Sequence, residues 1–183
     1  MSAVYITRHG QSTWNAERRW AGHADPPLSE LGRAQAREAS KALAPLGFDS
    51  IASFALVRAT ETASILASAL SLPQLPPSPL FDERFGGPWS GLTSPEIEAR
   101  WPGLLEQWRA GIAIEIPGGE PWPAFVRRVL DGLETLRRES GRTLLVAHMG
   151  VQRAIEHGLG RPLRGYGNLE GFWALGEVRA PSA

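Results

Sequence analysis

Arg8-His9-Gly10 closes one short apolar run, and His148-Met149-Gly150 closes another. In an open parallel sheet, ligands sit beyond the carboxyl ends of the strands. If these two strands are neighbours, their imidazoles converge on one site. A lone histidine after a strand is ordinarily a hydrogen-bonded structural residue. Two of them, with Gly10 and Gly150 allowing sharp turns and close backbone approach, weaken that reading. Arg8 weakens it further, because an arginine beside a core strand is costly to bury unless an anion pairs with it. Its planar fork of donors suits phosphate. Arg58 offers a second fork at the start of "RATETA", a helix whose N-terminus would add free N–H groups and partial positive charge. Arg8, His9, Arg58 and His148 would then form a concentrated anion site, and a phosphoryl group is its natural guest.

The elements that must position these residues follow from pattern. Strands are expected at 3–7, 50–54, 80–81 and 143–147, with one more near 171–175. Helices are expected at 29–43 with Ser29 as N-cap, at 58–70, from Ser94-Pro95 to before Pro102, at 104–110, at 122–139 and at 150–158. The stretch from Val4 to Asn15 begins as a strand and ends as a polar loop. The Pro-rich stretch 72–79 cannot be helix interior and is too short to divide two domains. Strands alternating with helices argue for α/β architecture with a mainly parallel sheet. One domain spanning 1–183 is expected.

Composition narrows the functions. The formal net charge is zero and no dense Lys/Arg tract occurs, which speaks against a nucleic-acid binder. Without cysteine there is no thiolate nucleophile, thiolate metal site or disulfide. No run reaches the roughly 18 apolar residues of a membrane span. The chain starts directly on a strand-like segment, so no leader is expected, and a cytoplasmic location is compatible. No His/Asp/Glu set has convincing metal spacing, and the Gly-Gly pairs form neither a Walker loop nor a dinucleotide fingerprint.

Five stretches, in order, resemble motifs of the histidine phosphatase superfamily, also called the phosphoglycerate mutase-like family. They are "RHGQSTWN", "ADPPLSELGRAQA", "RATETA", "FDERFGGPWSGLT" and "LLVAHMG". The resemblance implies a three-layer α/β/α sandwich with a mainly parallel sheet and a small phosphomonoester as substrate, with no metal and no cofactor. It implies His9 as the nucleophile that becomes phosphohistidine. Arg8, Asn15, Arg58 and His148, with the backbone of Met149, would hold the phosphate. Glu83 would donate a proton to the leaving oxygen, then activate water. Gln11, Gly22 and Glu120 are candidates for substrate contact, although Glu120 could equally be a solvated loop acid. His23 reads as a surface loop residue and His157 as a helix-end residue. Trp14 and Trp89 are the pocket-wall candidates among the tryptophans.

The sequence departs from the family pattern at Phe54 and Ala55, at Met149 and at Pro121, which bears on packing and pocket shape. Mutases of the family carry a longer segment after the acidic residue, with a lysine soon after a Gly-Leu pair. Here Gly91-Leu92 is followed by Thr93-Ser94-Pro95-Glu96, and the one lysine is Lys41. A phosphatase is therefore preferred over a mutase. A catalytically silent binder would ordinarily lack the nucleophile or the acid, and both are here. An apolar lining of Trp, Phe and Met149 would suit a ligand with a non-polar face.

Overall fold

A computed structural model describes residues 2–175, and the ends of the expected 1–183 domain lie outside the described residues. Its sheet has four strands: β1 (Ala3–Arg8), β2 (Ser50–Ala52), β3 (Arg142–Ala147) and β4 (Gly171–Ala174), in the order β2-β3-β1-β4. β1 pairs with β3 in parallel, β2 pairs with β3 in parallel, and β4 adds to β1 antiparallel at the edge. β3 is buried along five of its six residues, as expected of an interior parallel strand covered on both faces.

The helices are α1 (Thr13–Ala16), α2 (Glu30–Leu43), α3 (Val57–Leu70), α4 (Ser94–Arg100), α5 (Leu104–Arg109), α6 (Trp122–Glu139) and α7 (Met149–Gly158). α2 packs against α3 and α6 against α7. α3 contacts β2 and β3, while α6 and α7 contact β1. The result is an α/β/α arrangement around a mostly parallel open sheet. α2 begins where Ser29 accepts the N–H of Gly32, satisfying one orphan donor of the first turn. α6 buries Phe125, Val129 and Leu133 on one stripe, the spacing that puts side chains on one helical face. A single hydrophobic cluster links the sheet to helices on both sides.

Two local expectations fail. Residues 80–81 are not a strand: Pro79–Phe81 is a single 3-10 turn, with Pro at its start and Ser78 capping Leu80 N–H. Pro cannot supply a ladder donor, and Phe81 is buried against Phe54 instead. The loop after Gly10 contains α1, which exists through reciprocal capping. Ser12 Oγ accepts Asn15 N–H and Asn15 Oδ1 accepts Ser12 N–H.

Candidate active site

Parallel pairing sets Arg8 opposite Ala147, so His9 and His148 leave adjacent strands at the same level. Their ring centroids are 5.1 Å apart. Gly10 makes this turn possible by packing on α2: a Cβ on Gly10 would lie 2.6 Å from the carbonyl oxygen of Gly32.

His9 is buried and lines a cavity of about 590 Å³, within the usual range for small-molecule sites. Its Nδ1 lies 2.6 Å from the carbonyl oxygen of Gly10. A carbonyl can only accept, so Nδ1 carries the proton and Nε2 holds the lone pair. Burial, then the charges of Arg8 and Arg58, hold this imidazole well below the usual histidine range. A neutral ring with a free Nε2 in an anion site is a nucleophile in the right state.

Arg8 donates from Nη1 to the carbonyl of Tyr166 at 2.6 Å, and its Nε is buried without a partner. Arg58 is 1% exposed. It donates to the carbonyls of Ala24 and Gly22 and stands 4.0 Å from Asp25. Burial lowers both guanidinium pKa values from the ordinary arginine value. Most N–H groups at the start of the Arg58 helix already have acceptors within the protein. Val57 N–H donates to Asp25, and those of Ala59 and Thr60 to Leu56.

His148 is fully buried behind His9, and neither ring nitrogen has a partner. Burial, then the charge of Arg58, lowers its pKa well below the usual histidine range as well. Its ring is 4.8 Å from Phe54, so the Phe54 departure acts through packing on this histidine. Glu83 lines the cavity from the segment after the 3-10 turn. Its Oε1 accepts Arg84 N–H at 2.8 Å and its Oε2 accepts Gly150 N–H at 3.3 Å.

Asn15, Gln11, Gly22 and Met149 line the same cavity. Asn15 Oδ1 is held by Ser12, which leaves its amide nitrogen as the free donor. Glu120 does not line the cavity. Its carboxylate pairs with Arg128 at 2.7 and 2.8 Å and accepts Phe85 N–H. Arg128 in turn donates to the carbonyls of Leu80, Asp82 and Glu83. The expectation of substrate contact at Glu120 therefore gives way to a brace for the Glu83 segment. His23 borders the site by bonding to the carbonyl of Glu83 at 2.6 Å. Trp89 is a wall residue, joined by Trp20 and Trp108, while Trp14 is not. His157 packs edge-on against Trp122.

Several lining residues were not anticipated. Asn168 donates to the carbonyl of His9 at 2.9 Å and lies 3.5 Å from Asn15 Oδ1. Arg18, Arg19, Arg84, Arg109 and Arg153 add cationic lining, with Glu83 the one carboxylate. The position of Arg153, five residues after His148, was the available signal. Asn168 lies in a Gly-rich stretch with no periodicity to mark it. Among the described residues, no group of three or more His, Asp or Glu could hold a metal ion. Among the same residues, no helix is long and apolar enough to cross a membrane.

An imidazole, two buried arginines and a carboxylate thus border one cavity, an arrangement chemically able to hold a phosphoryl group. The model of the histidine phosphatase superfamily (branch 1) matches residues 4–173, and the chain belongs to that superfamily. A 2,3-bisphosphoglycerate-dependent phosphoglycerate mutase of Methylobacterium sp. (strain 4-46) is 37% identical over 161 residues, covering 83% of this chain and 77% of that protein. The structure titled mycobacterial glucosyl-3-phosphoglycerate phosphatase Rv2419c, complexed with VO3, matches with a TM-score of 0.82 at 29% identity, over 94% of this chain and 90% of the other. Mycobacterial hydrolase 1 matches with a TM-score of 0.84 at 28% identity, over 94% and 90%.

Proposed function

We propose that this protein is a phosphomonoesterase that hydrolyses a small phosphorylated metabolite through a phosphohistidine on His9. One observation carries the reading. His9 is neutral, its Nδ1 proton is given to Gly10, and its Nε2 is left for the cavity between Arg8 and Arg58.

The substrate phosphate lies between the guanidinium groups of Arg8 and Arg58, with the Asn15 amide and the Met149 N–H as further donors. Fixed cationic donors around the equatorial oxygens stabilise the transferring group without covalent help. Nε2 forms a bond to phosphorus as the bond to the ester oxygen breaks. Glu83, protonated in the substrate complex, gives its proton to that leaving oxygen, as a poor leaving group requires. Water then attacks phosphorus while the Glu83 carboxylate takes its proton, the P–N bond breaks, and orthophosphate leaves. His148 is neutral in the free protein. A bound phosphate dianion favours its charged form, so it becomes a second donor behind His9.

The substrate favoured by the lining is anionic beyond its phosphate. Arg18, Arg109 and Arg153 line the cavity without an ion pair within 4 Å among the described residues. A purely apolar ligand face, expected from the tryptophans and Met149, fits this lining less well.

The test is an aryl phosphate assay with chelator present. Wild-type protein releases phosphate and His9→Ala does not. An alkaline denaturing quench traps labelled enzyme whose phosphate is base-stable and acid-labile. Loss of wild-type activity on chelation overturns the mechanism.

A mutase reading is favoured by the 37% identity to a phosphoglycerate mutase. Supplying 3-phosphoglycerate with a bisphosphoglycerate primer separates the two. Isomerisation faster than hydrolysis would establish the mutase.

A further inference from the structure

We infer that Glu156, remote from the reacting atoms, is a positioning residue for the Arg8 arm of the phosphate clamp and acts through Tyr166; this rests on the phosphate-site reading above. Glu156 is the one buried acidic residue among the described residues, at 2% exposure. A buried carboxylate needs hydrogen bonds or a close cation. The nearest guanidinium, Arg164, stands 4.0 Å away on a side chain that is 72% exposed, so that pair is weak. The carboxylate is satisfied instead by two donors from one short segment. It accepts the hydroxyl of Tyr166 and, at 2.8 Å, the backbone N–H of Arg164.

The same segment braces the clamp. The carbonyl of Tyr166 accepts Arg8 Nη1 at 2.6 Å. Two residues on, Asn168 holds the His9 carbonyl and approaches Asn15 Oδ1. Leu169 N–H donates to the carbonyl of Arg8, and Arg8 N–H donates to that of Glu170. Strand pairing fixes the Arg8 backbone, and among the described residues the one hydrogen bond that orients its side chain is to the Tyr166 carbonyl, with Glu83 and Glu170 acting on it only through charge. A shift of Tyr166 therefore moves the fork that meets the phosphate. The Tyr166 hydroxyl is pushed upward in pKa by burial and then by the Glu156 hydrogen bond, in keeping with a phenol that stays a donor.

A carboxylate is required because it accepts both donors at once. An amide has one accepting oxygen, and its NH2 would face either the Arg164 N–H or the Tyr166 hydroxyl. Glu156→Gln thus keeps the shape and loosens the segment, while Tyr166→Phe removes one oxygen.

The experiment measures orthophosphate binding by calorimetry, and aryl phosphate kinetics, in wild type, Glu156→Gln, Tyr166→Phe and Arg164→Ala. Near-UV circular dichroism checks that each is folded. Glu156→Gln is expected to weaken orthophosphate about tenfold and Tyr166→Phe severalfold. KM rises accordingly, with kcat within a few-fold because His9 and Glu83 are untouched. Arg164→Ala keeps its backbone N–H and leaves the affinity unchanged. Folded Glu156→Gln and Tyr166→Phe that both bind orthophosphate within twofold of wild type would overturn the proposal. So would an Arg164→Ala effect equal to that of Glu156→Gln, which would assign the role to the ion pair. Should Glu156→Gln fail to fold, Tyr166→Phe decides alone. Wild-type protein that does not bind orthophosphate sinks the underlying site reading instead.

Discussion

The carboxylate of Glu83 occupies the space that a side chain on Gly150 would need. A Cβ there would overlap Oε1, and Oε2 accepts the Gly150 N–H. The glycine after Met149 is therefore tied to the position of the proposed acid.

Gly150→Ala is accordingly expected to displace Glu83 while α7 remains helical. Both Gly150→Ala and Glu83→Gln should lower kcat on an alkyl phosphate by about 10²-fold or more, the usual scale for a lost general acid. On an activated aryl phosphate, whose leaving group needs no proton, the loss should be much smaller. Equal losses on both esters would argue against Glu83 as the acid.

His9 and His148 make stability fall with acid. Both stay neutral in the folded protein at pH values where an unfolded histidine, near pH 6.5, takes up a proton. Below about pH 6.5 the unfolded state binds protons that the folded state refuses. The unfolding constant should then rise by up to about tenfold per pH unit for each histidine. Urea unfolding between pH 7.5 and 5 in phosphate-free buffer reads this slope. His148→Gln should remove one histidine's share, and added orthophosphate should flatten the profile. A slope unchanged by His148→Gln would contradict its burial in the neutral form.

The Glu120–Arg128 pair is expected to matter for stability first and for substrate affinity little. Both side chains are largely buried, at 19% and 22% exposure, and Arg128 holds three carbonyls of the Glu83 segment. Arg128→Ala should cost about 1–3 kcal/mol in chemical denaturation and lower kcat by loosening Glu83. Glu120→Gln should leave KM within twofold. A large KM change with unaltered stability would restore Glu120 as a substrate contact.

Cationic lining beyond the clamp predicts a substrate preference. Phosphomonoesters carrying a further carboxylate or phosphate should show higher kcat/KM than uncharged sugar phosphates. The advantage should shrink with salt, as charge steering does, and in Arg109→Ala. A panel led by uncharged apolar esters would favour the tryptophan wall instead.

Much of the fold was legible because its signals are local. Ser29, the stripe Phe125, Val129 and Leu133, and the run 143–147 each report periodicity or capping within a few residues. α6 appears at its expected bounds, Trp122–Glu139. The failures are also local, in cause as well as in form. The 3-10 turn at Pro79–Phe81 and the capped turn at Thr13–Ala16 are each short enough for one cap or one proline to decide.

The candidate site divides in the same way. Residue type and chain order marked Arg8, His9, Arg58 and His148, because strand-end histidines and forked donors have few other uses together, while Glu83 was marked only by the family resemblance. Strand order then made the two histidines neighbours, by setting β3 beside β1 in parallel register. Only long-range packing decided which carboxylate faces the cavity and which is tied to an arginine. Glu83 and Glu120 look alike as loop acids, and Arg128 separates them. Asn168, Tyr166 and Glu156 became visible in the same manner. Their partners lie 8 to 159 residues away in the chain, and a hydrogen bond across such a span has no periodicity for a sequence to display.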